Sequence, residues 1–204
     1  MAAEQTRERI VSAADELIYR RGYGHTTFAD FAEAVGISRG NFHYHFKRKD
    51  DLLDAVISKR RRDTSAMLRR FELESDTPAG QIVRFLELVA DNDAAIRLYG
   101  CPVGTLCNEL GKVDHGSWPG ATAIFEQFRE WLKARFELLG HHRDADELAL
   151  HALVLSQGIA TLSAALRDRA FVDRELGRAR AWVEGEAATG STASKQITKG
   201  QTCS

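Results

Sequence analysis

The chain is poor in proline and cysteine and has no long uninterrupted apolar run. It holds three prolines and three cysteines in 204 residues. Few prolines leave room for helices that run without breaks. An odd number of cysteines at unrelated spacings excludes a disulfide framework. No stretch approaches the roughly 20 consecutive apolar residues of a membrane span. The N-terminus, Met1 to Arg9, is polar and lacks the apolar core of an export signal. The expectation is a cytoplasmic chain with no membrane partner. No nucleophile–base pair, metal-ligand spacing or glycine-rich phosphate loop occurs. The sequence therefore gives no catalytic residue, no metal site and no cofactor, and does not read as an enzyme.

What is present suits a helical protein with a substantial core. Hydrophobic residues make up 44% of the chain and aromatics 8%. The net charge of −1 offers no general case for nucleic acid, but its distribution does. Residues 1–62 carry 12 Lys and Arg against 9 Asp and Glu, or +3; the remainder carries 16 against 20, or −4. A mildly basic head on an acidic body fits a DNA-binding part joined to a part that does not touch DNA.

Residues 26–46 carry most of the information. Thr26 or Thr27 can cap a helix start. Phe28, Phe31, Ala32 and Val35 then recur at helical spacing and give one buried face. Gly36 can adopt a left-handed turn without steric cost, closing that helix. Ile37 plugs the corner, and Ser38 opens a second helix through Phe46. On it Phe42 and Phe46 face inward, which leaves Arg39, Gly40, Asn41, His43, Tyr44 and His45 on the open side. This is the layout of a helix-turn-helix. A first helix over residues 4–21, ended by Gly22 and Gly24, completes a three-helix head.

Further helices are expected from the periodicity at about residues 48–71, from Pro78 to the break at Gly100, at 105–111, at 121–139, at 148–166 and at 173–186. Residues 148–166 are apolar or small on most sides, so that helix must be covered on most sides. From Ala187 the chain is rich in Gly, Ser, Thr, Lys and Gln and is expected to be a disordered tail. The fold class is thus all-α: an N-terminal three-helix DNA-binding domain over 1–50, a helical body over 51–186, and a tail over 187–204.

The segment from Arg9 to about Leu53 resembles the TetR family of bacterial repressors. The resemblance is carried by Arg20-Arg21-Gly22-Tyr23, Thr26-Thr27-Phe28-Ala29-Asp30-Phe31-Ala32, Val35-Gly36-Ile37-Ser38-Arg39-Gly40-Asn41-Phe42 and His45-Phe46-Lys47-Arg48-Lys49-Asp50-Asp51-Leu52-Leu53. It covers about a quarter of the chain. It implies a homodimer whose heads bind a double-stranded DNA operator and whose bodies, over 51–186, are a helical ligand-binding and dimerisation domain that holds a small-molecule effector. A loose likeness to one subgroup extends to Gly100-Cys101-Pro102-Val103-Gly104-Thr105-Leu106.

The open side of the second helix supplies most of the candidate DNA contacts. Arg39, in its first turn, can pair with guanine O6 and N7 in the major groove, or with an acidic surface neighbour. Gly40 permits close approach of backbone to DNA, or is simply a weak helix residue. Ser38 and Asn41 flank these positions. His43, Tyr44 and His45 form a polar aromatic cluster that suits phosphates and bases, although many relatives carry Tyr at position 43. A shared metal on His43 and His45 is excluded, since an i, i+2 pair points about 200° apart on a helix. Thr27 and Lys49, at helix starts, are candidate phosphate contacts.

For the effector, Phe85, Val89, Leu98, Cys101, Leu106, Trp118, Phe125, Phe128 and Leu155 are the candidate lining. Asn108, His115, Gln127 and Gln157 could orient it. Each apolar member could equally be plain core. Cys101, beside Pro102, and Cys107 are either reactive thiols, with Cys101 the one that would sense oxidants or electrophiles, or small core hydrophobes. Two copies would meet through residues 148–166 and 173–186 as a four-helix bundle.

Overall fold

The structure, a computed structural model, describes the backbone of residues 2–200 and the side chains of residues 3–190. Among the described residues it is all-α, without strand. The elements are α1 (Ala2–Arg21), α2 (Phe28–Val35), α3 (Arg39–His45), α4 (Lys49–Glu74), α5 (Pro78–Asp91), α6 (Asp93–Tyr99), α7 (Pro102–Lys112), α8 (Trp118–Leu138), α9 (Ala145–Leu166) and α10 (Arg169–Gly200).

Two compact units result. The first comprises Met1–Thr64 and Pro102–Phe125, the second Ser65–Cys101 and Glu126–Ser204. The expected head boundary at residue 50 falls inside α4, and α4 and α8 each give residues to both units. The first half of α4 and all of α7 group with the helix-turn-helix rather than with the body. The reason lies in the packing. Leu52, Leu53, Val56 and Ile57 of α4 and Leu106 and Leu110 of α7 are buried in the unit that also buries Ile10, Ala14 and Ile18 of α1.

In the second unit α5 packs on α9 and α10, and α6 packs on α9. Ile82, Phe85, Leu86 and Val89 of α5 are buried there with Ala149, Ala152 and Leu153 of α9 and Val172, Ala179 and Val183 of α10.

Several boundaries differ from the periodicity, each for a local reason. The helix expected to run from Pro78 to Gly100 is split at Asn92, whose side-chain amide donates to the Leu88 carbonyl at 2.9 Å and ends α5. The helix expected at 105–111 starts at Pro102, where the missing amide costs least. The segment 187–204, expected as a disordered tail, continues α10 as far as Gly200, and residues 201–204 lie outside the described ones with Cys203. Extending an existing helix needs no new nucleus. α10 is also gripped at Gly190, where a Cβ would fall 2.2 Å from the Leu139 carbonyl oxygen, so only glycine allows that approach.

Candidate nucleic-acid interface

The sequence specifies the turn between α2 and α3 by its end signals. Thr27 caps α2: its hydroxyl accepts from the Asp30 amide at 3.3 Å, and the Asp30 carboxylate accepts from the Thr27 amide at 2.7 Å. This reciprocal pair satisfies two orphan donors of the first turn. Gly36 sits at φ 71°, ψ 37°, and its amide bonds back to the carbonyls of Ala32 and Glu33. Ile37 adds an amide bond to Ala32 at 3.1 Å, which completes a Schellman-type stop. From α1, Arg9 donates to the Val35 carbonyl at 3.1 Å, so a cation sits at the negative end of α2. Ser38 then caps α3, accepting from the Asn41 amide at 3.2 Å.

An aromatic block sets how α3 lies. Phe31, Phe42 and Phe46 are buried, and the Phe42 ring lies 5.1 Å from Phe28 and 6.3 Å from both Phe31 and Phe46. Arg7 of α1 covers the Phe46 ring at 5.0 Å. The opposite side of α3 is open. Ser38, Arg39, Gly40, Asn41, His43 and Tyr44 are exposed, Tyr44 by 71%, and His45 is half-buried against the Tyr44 ring. His43 meets the edge of Phe28 at 5.0 Å, which fixes its ring on the rim of that face. A Cβ added at Gly40 would meet nothing within 4 Å. Thr27 is exposed at the start of α2.

Lys49 lies differently from Thr27. Its ammonium donates to the Tyr23 carbonyl and sits 4.0 Å from the Tyr23 ring centroid, so it closes the α1–α2 turn. Burial there lowers the Lys49 pKa from its ordinary value. Tyr23 in turn donates its phenol to Asp50 at 2.7 Å. Burial and that acidic partner raise the Tyr23 pKa, while the hydrogen bond from Tyr23, followed by Arg48 and His115, holds the Asp50 carboxyl below its usual range. The Asp30 carboxyl is likewise lowered by its bonds from Thr27.

The sequence missed Glu109. Its carboxylate accepts the amides of Tyr23 at 2.9 Å and Gly24 at 2.6 Å across more than eighty residues of chain. No local pattern marks such a contact.

The candidate effector residues are not brought into one unit. Leu106, Trp118 and Phe125 belong to the first, and Phe85, Val89, Leu98, Cys101, Phe128 and Leu155 to the second. Within the second, Phe85 and Phe128 pack at 5.3 Å, and Val89 joins a cluster with Ile96, Ile159, Ala160 and Val172. Cys101 packs against that cluster and Cys107 is buried in the first unit; among the described residues neither forms a disulfide. Leu98 and Trp118 are exposed, by 63% and 43%. Of the orienting candidates, Gln127 donates to Ser65 at 2.9 Å, and His115 accepts the Ser117 amide at 3.1 Å. Among the described residues no cluster has metal-ligand composition.

Comparison with known proteins agrees with this geometry. Residues 10–56 match the family described as bacterial regulatory proteins, tetR family. An uncharacterized HTH-type transcriptional regulator in the lacX 3' region of Lactococcus lactis subsp. lactis is 29% identical over 156 residues, 76% of this chain and 74% of that protein. The HTH-type transcriptional repressor BepR of Brucella suis biovar 1 is 30% identical over 96 residues, a match that spans 45% of this chain and 46% of that one. A crystal structure of a TetR transcriptional regulator from Legionella pneumophila superimposes with a TM-score of 0.76 at 27% identity, over 87% of this chain and 95% of its own.

Proposed function

The chain belongs to the TetR family of helix-turn-helix transcriptional regulators, and on that premise we propose that it is a homodimeric, cytoplasmic repressor that leaves its DNA operator when a small molecule binds its body. The observation that carries the DNA half of this reading is the open face of α3: Arg39, Gly40, Asn41, His43 and Tyr44 stand exposed on a helix whose other side is anchored by Phe42. In a major groove, Arg39 reads guanine, and Asn41, His43, Tyr44 and His45 contact bases or the backbone. Thr27 and the Ser38 cap contact phosphates from the starts of α2 and α3. Lys49 supports this by stiffening the turn, with ammonium protons left for a phosphate.

Dimerisation is supported by α9. Leu150, Val154, Leu162 and Leu166 are exposed and recur every fourth residue, with exposed Gly158 completing the row. Such a row is the ridge that one helix packs into the groove of another. By length and composition alone α9 could cross a membrane, but its other face is buried against α5, α6 and α10. A second copy accounts for the exposed row and leaves the buried face in place.

Two heads on a dimer read half-sites about 34–36 Å apart, one turn of duplex. Release requires the effector to favour a form in which the heads no longer match that spacing, since equal affinity for both forms shifts nothing. The aromatic interior of the second unit around Phe85 and Phe128 suits a largely apolar effector. The repressor of Brucella suis named above supports repression as the outcome.

The test is selection of duplexes from a random-sequence library by the wild-type protein, followed by gel shift. The expected result is an inverted repeat retained at low salt and lost steeply as salt rises. No enrichment over the starting library would overturn the reading.

A further inference from the structure

We infer that Glu109, far from the DNA-reading face, is a positioning residue for operator binding: its carboxylate ties the α1–α2 turn to α7 and so sets where α2 and α4 begin. The inference rests on the function proposed above. The chain leaves α1 through Gly22 at φ 85°, a conformation that favours glycine. The next two residues, Tyr23 and Gly24, donate their amides to the two oxygens of Glu109 at 2.9 and 2.6 Å. Both flanking glycines leave space for the carboxylate, since a Cβ at either would stand 3.2 Å from its oxygens. Hydrogen bonds to an ionised acceptor are about twice as strong as neutral ones, and a two-pronged pair also fixes orientation.

The helices on either side of α3 take their starting points from this turn. The buried Thr26 donates its hydroxyl to the Tyr23 carbonyl at 2.9 Å, and the adjacent Thr27 is the cap of α2. Lys49, the first residue of α4, sits on the same carbonyl and ring, and Asp50 takes the Tyr23 phenol. Both starts are therefore referred to one turn, and Glu109 holds that turn.

α7 is itself held in place at both ends. Arg60 donates to the Pro102 carbonyl at 2.5 Å, and His115, just past the helix, lies edge-on to Tyr23 at 5.3 Å and 3.6 Å from Asp50. Reading a groove demands placement of side chains within about half an ångström. Without Glu109 the turn keeps its chain but loses its fixed register.

The sign of the effect separates this role from simple electrostatics. Removing an anion from a DNA-binding head should by itself tighten binding to phosphates. Loss of positioning should weaken it. The probe is a duplex selected from a random library by the wild-type protein. E109A, E109Q, G24A and, as a control, R39A are compared well below their melting temperatures. The expected result is about tenfold weaker binding by E109A, the scale of a charged hydrogen-bond pair, with wild-type helical content and salt slope. Amide exchange at Tyr23 and Gly24 speeds up, and E109Q, which keeps an acceptor, falls between. G24A leaves every charge in place and crowds the carboxylate, so it weakens binding too, and it carries the test if E109A does not fold. Equal or tighter binding by E109A and G24A overturns the inference, as does unchanged exchange at the two amides in E109A. If R39A loses the duplex while E109A and G24A keep it, this inference alone falls. If the wild-type protein selects no sequence, the functional reading falls and takes this one with it.

Discussion

Arg39 and Gly40 are adjacent in the first turn of α3, both exposed, and neither does visible work in the free protein. A Cβ at Gly40 meets nothing within 4 Å, so alanine there should raise helix stability, by up to about 1 kcal/mol. If the backbone at Gly40 lies against DNA, the same methyl obstructs the complex. G40A is therefore expected to melt higher and bind its operator more weakly. Arg39→Ala should leave the melting temperature unchanged and cost about 1–3 kcal/mol of discrimination at one base position, the range for a bidentate arginine–guanine pair. Thermal melts alongside gel shifts on single-base operator variants check both. A loss of affinity by R39A that is uniform across all variants would make Arg39 a phosphate contact instead. At this scale the sequence was most legible where a residue's role is local. Gly36 at the turn and Ser38 and Thr27 at the caps stand where the spacing puts them. Glu109 was invisible, because its partners are brought to it by the fold and not by its neighbours in sequence.

Elements were legible in proportion to how strongly they punctuate themselves. α2 carries a capping residue, an apolar face and a glycine stop within ten residues, and its observed limits match those signals. The two helices α5 and α6 have no such mark between them beyond Asn92, so a continuous apolar period concealed the break. The caps and turn bonds also carry a dependence on pH. Asp30 is held below its usual titration range by its bonds from Thr27, and Asp50 chiefly by the bond from Tyr23. In the unfolded chain both titrate near about 3.9. Between the unfolded and folded values the unfolded state binds more protons, so acid favours unfolding there. The stabilisation is complete above the unfolded value and disappears as pH falls through the folded ones. Melting temperatures measured from pH 6 down to pH 2.5 should hold steady and then drop below about pH 4. A D30N/D50N double variant should melt lower at neutral pH and show a shallower acid drop. An identical acid profile in that variant would mean that other carboxylates carry the effect.

For the whole molecule, the sequence supplied the class of fold and the helix-turn-helix but not the grouping of helices. α7 reads as part of the body by position in the chain, and packs with the head because its apolar residues share a core with α1 and α4. The candidate effector residues were the least legible, since an apolar residue at helical spacing looks the same whether it faces a ligand or another side chain. The dimer can be tested directly, because the row on α9 is exposed in the single chain. Val154 is 65% exposed, so Val154→Asp should leave the isolated subunit folded. In a dimer that places Val154 against another helix, the same change buries an unpaired carboxylate, which costs far more than the packing it replaces. The variant is expected to sediment as a monomer with wild-type helical content. Its affinity for the full inverted repeat should fall by about 10²–10⁴, the usual gain from joining two binding modules. The slope of log affinity against log salt should roughly halve, because one head releases about half the counterions of two. A dimer that persists in V154D, with the salt slope intact, would move the subunit interface away from α9 and leave its apolar row in need of another partner.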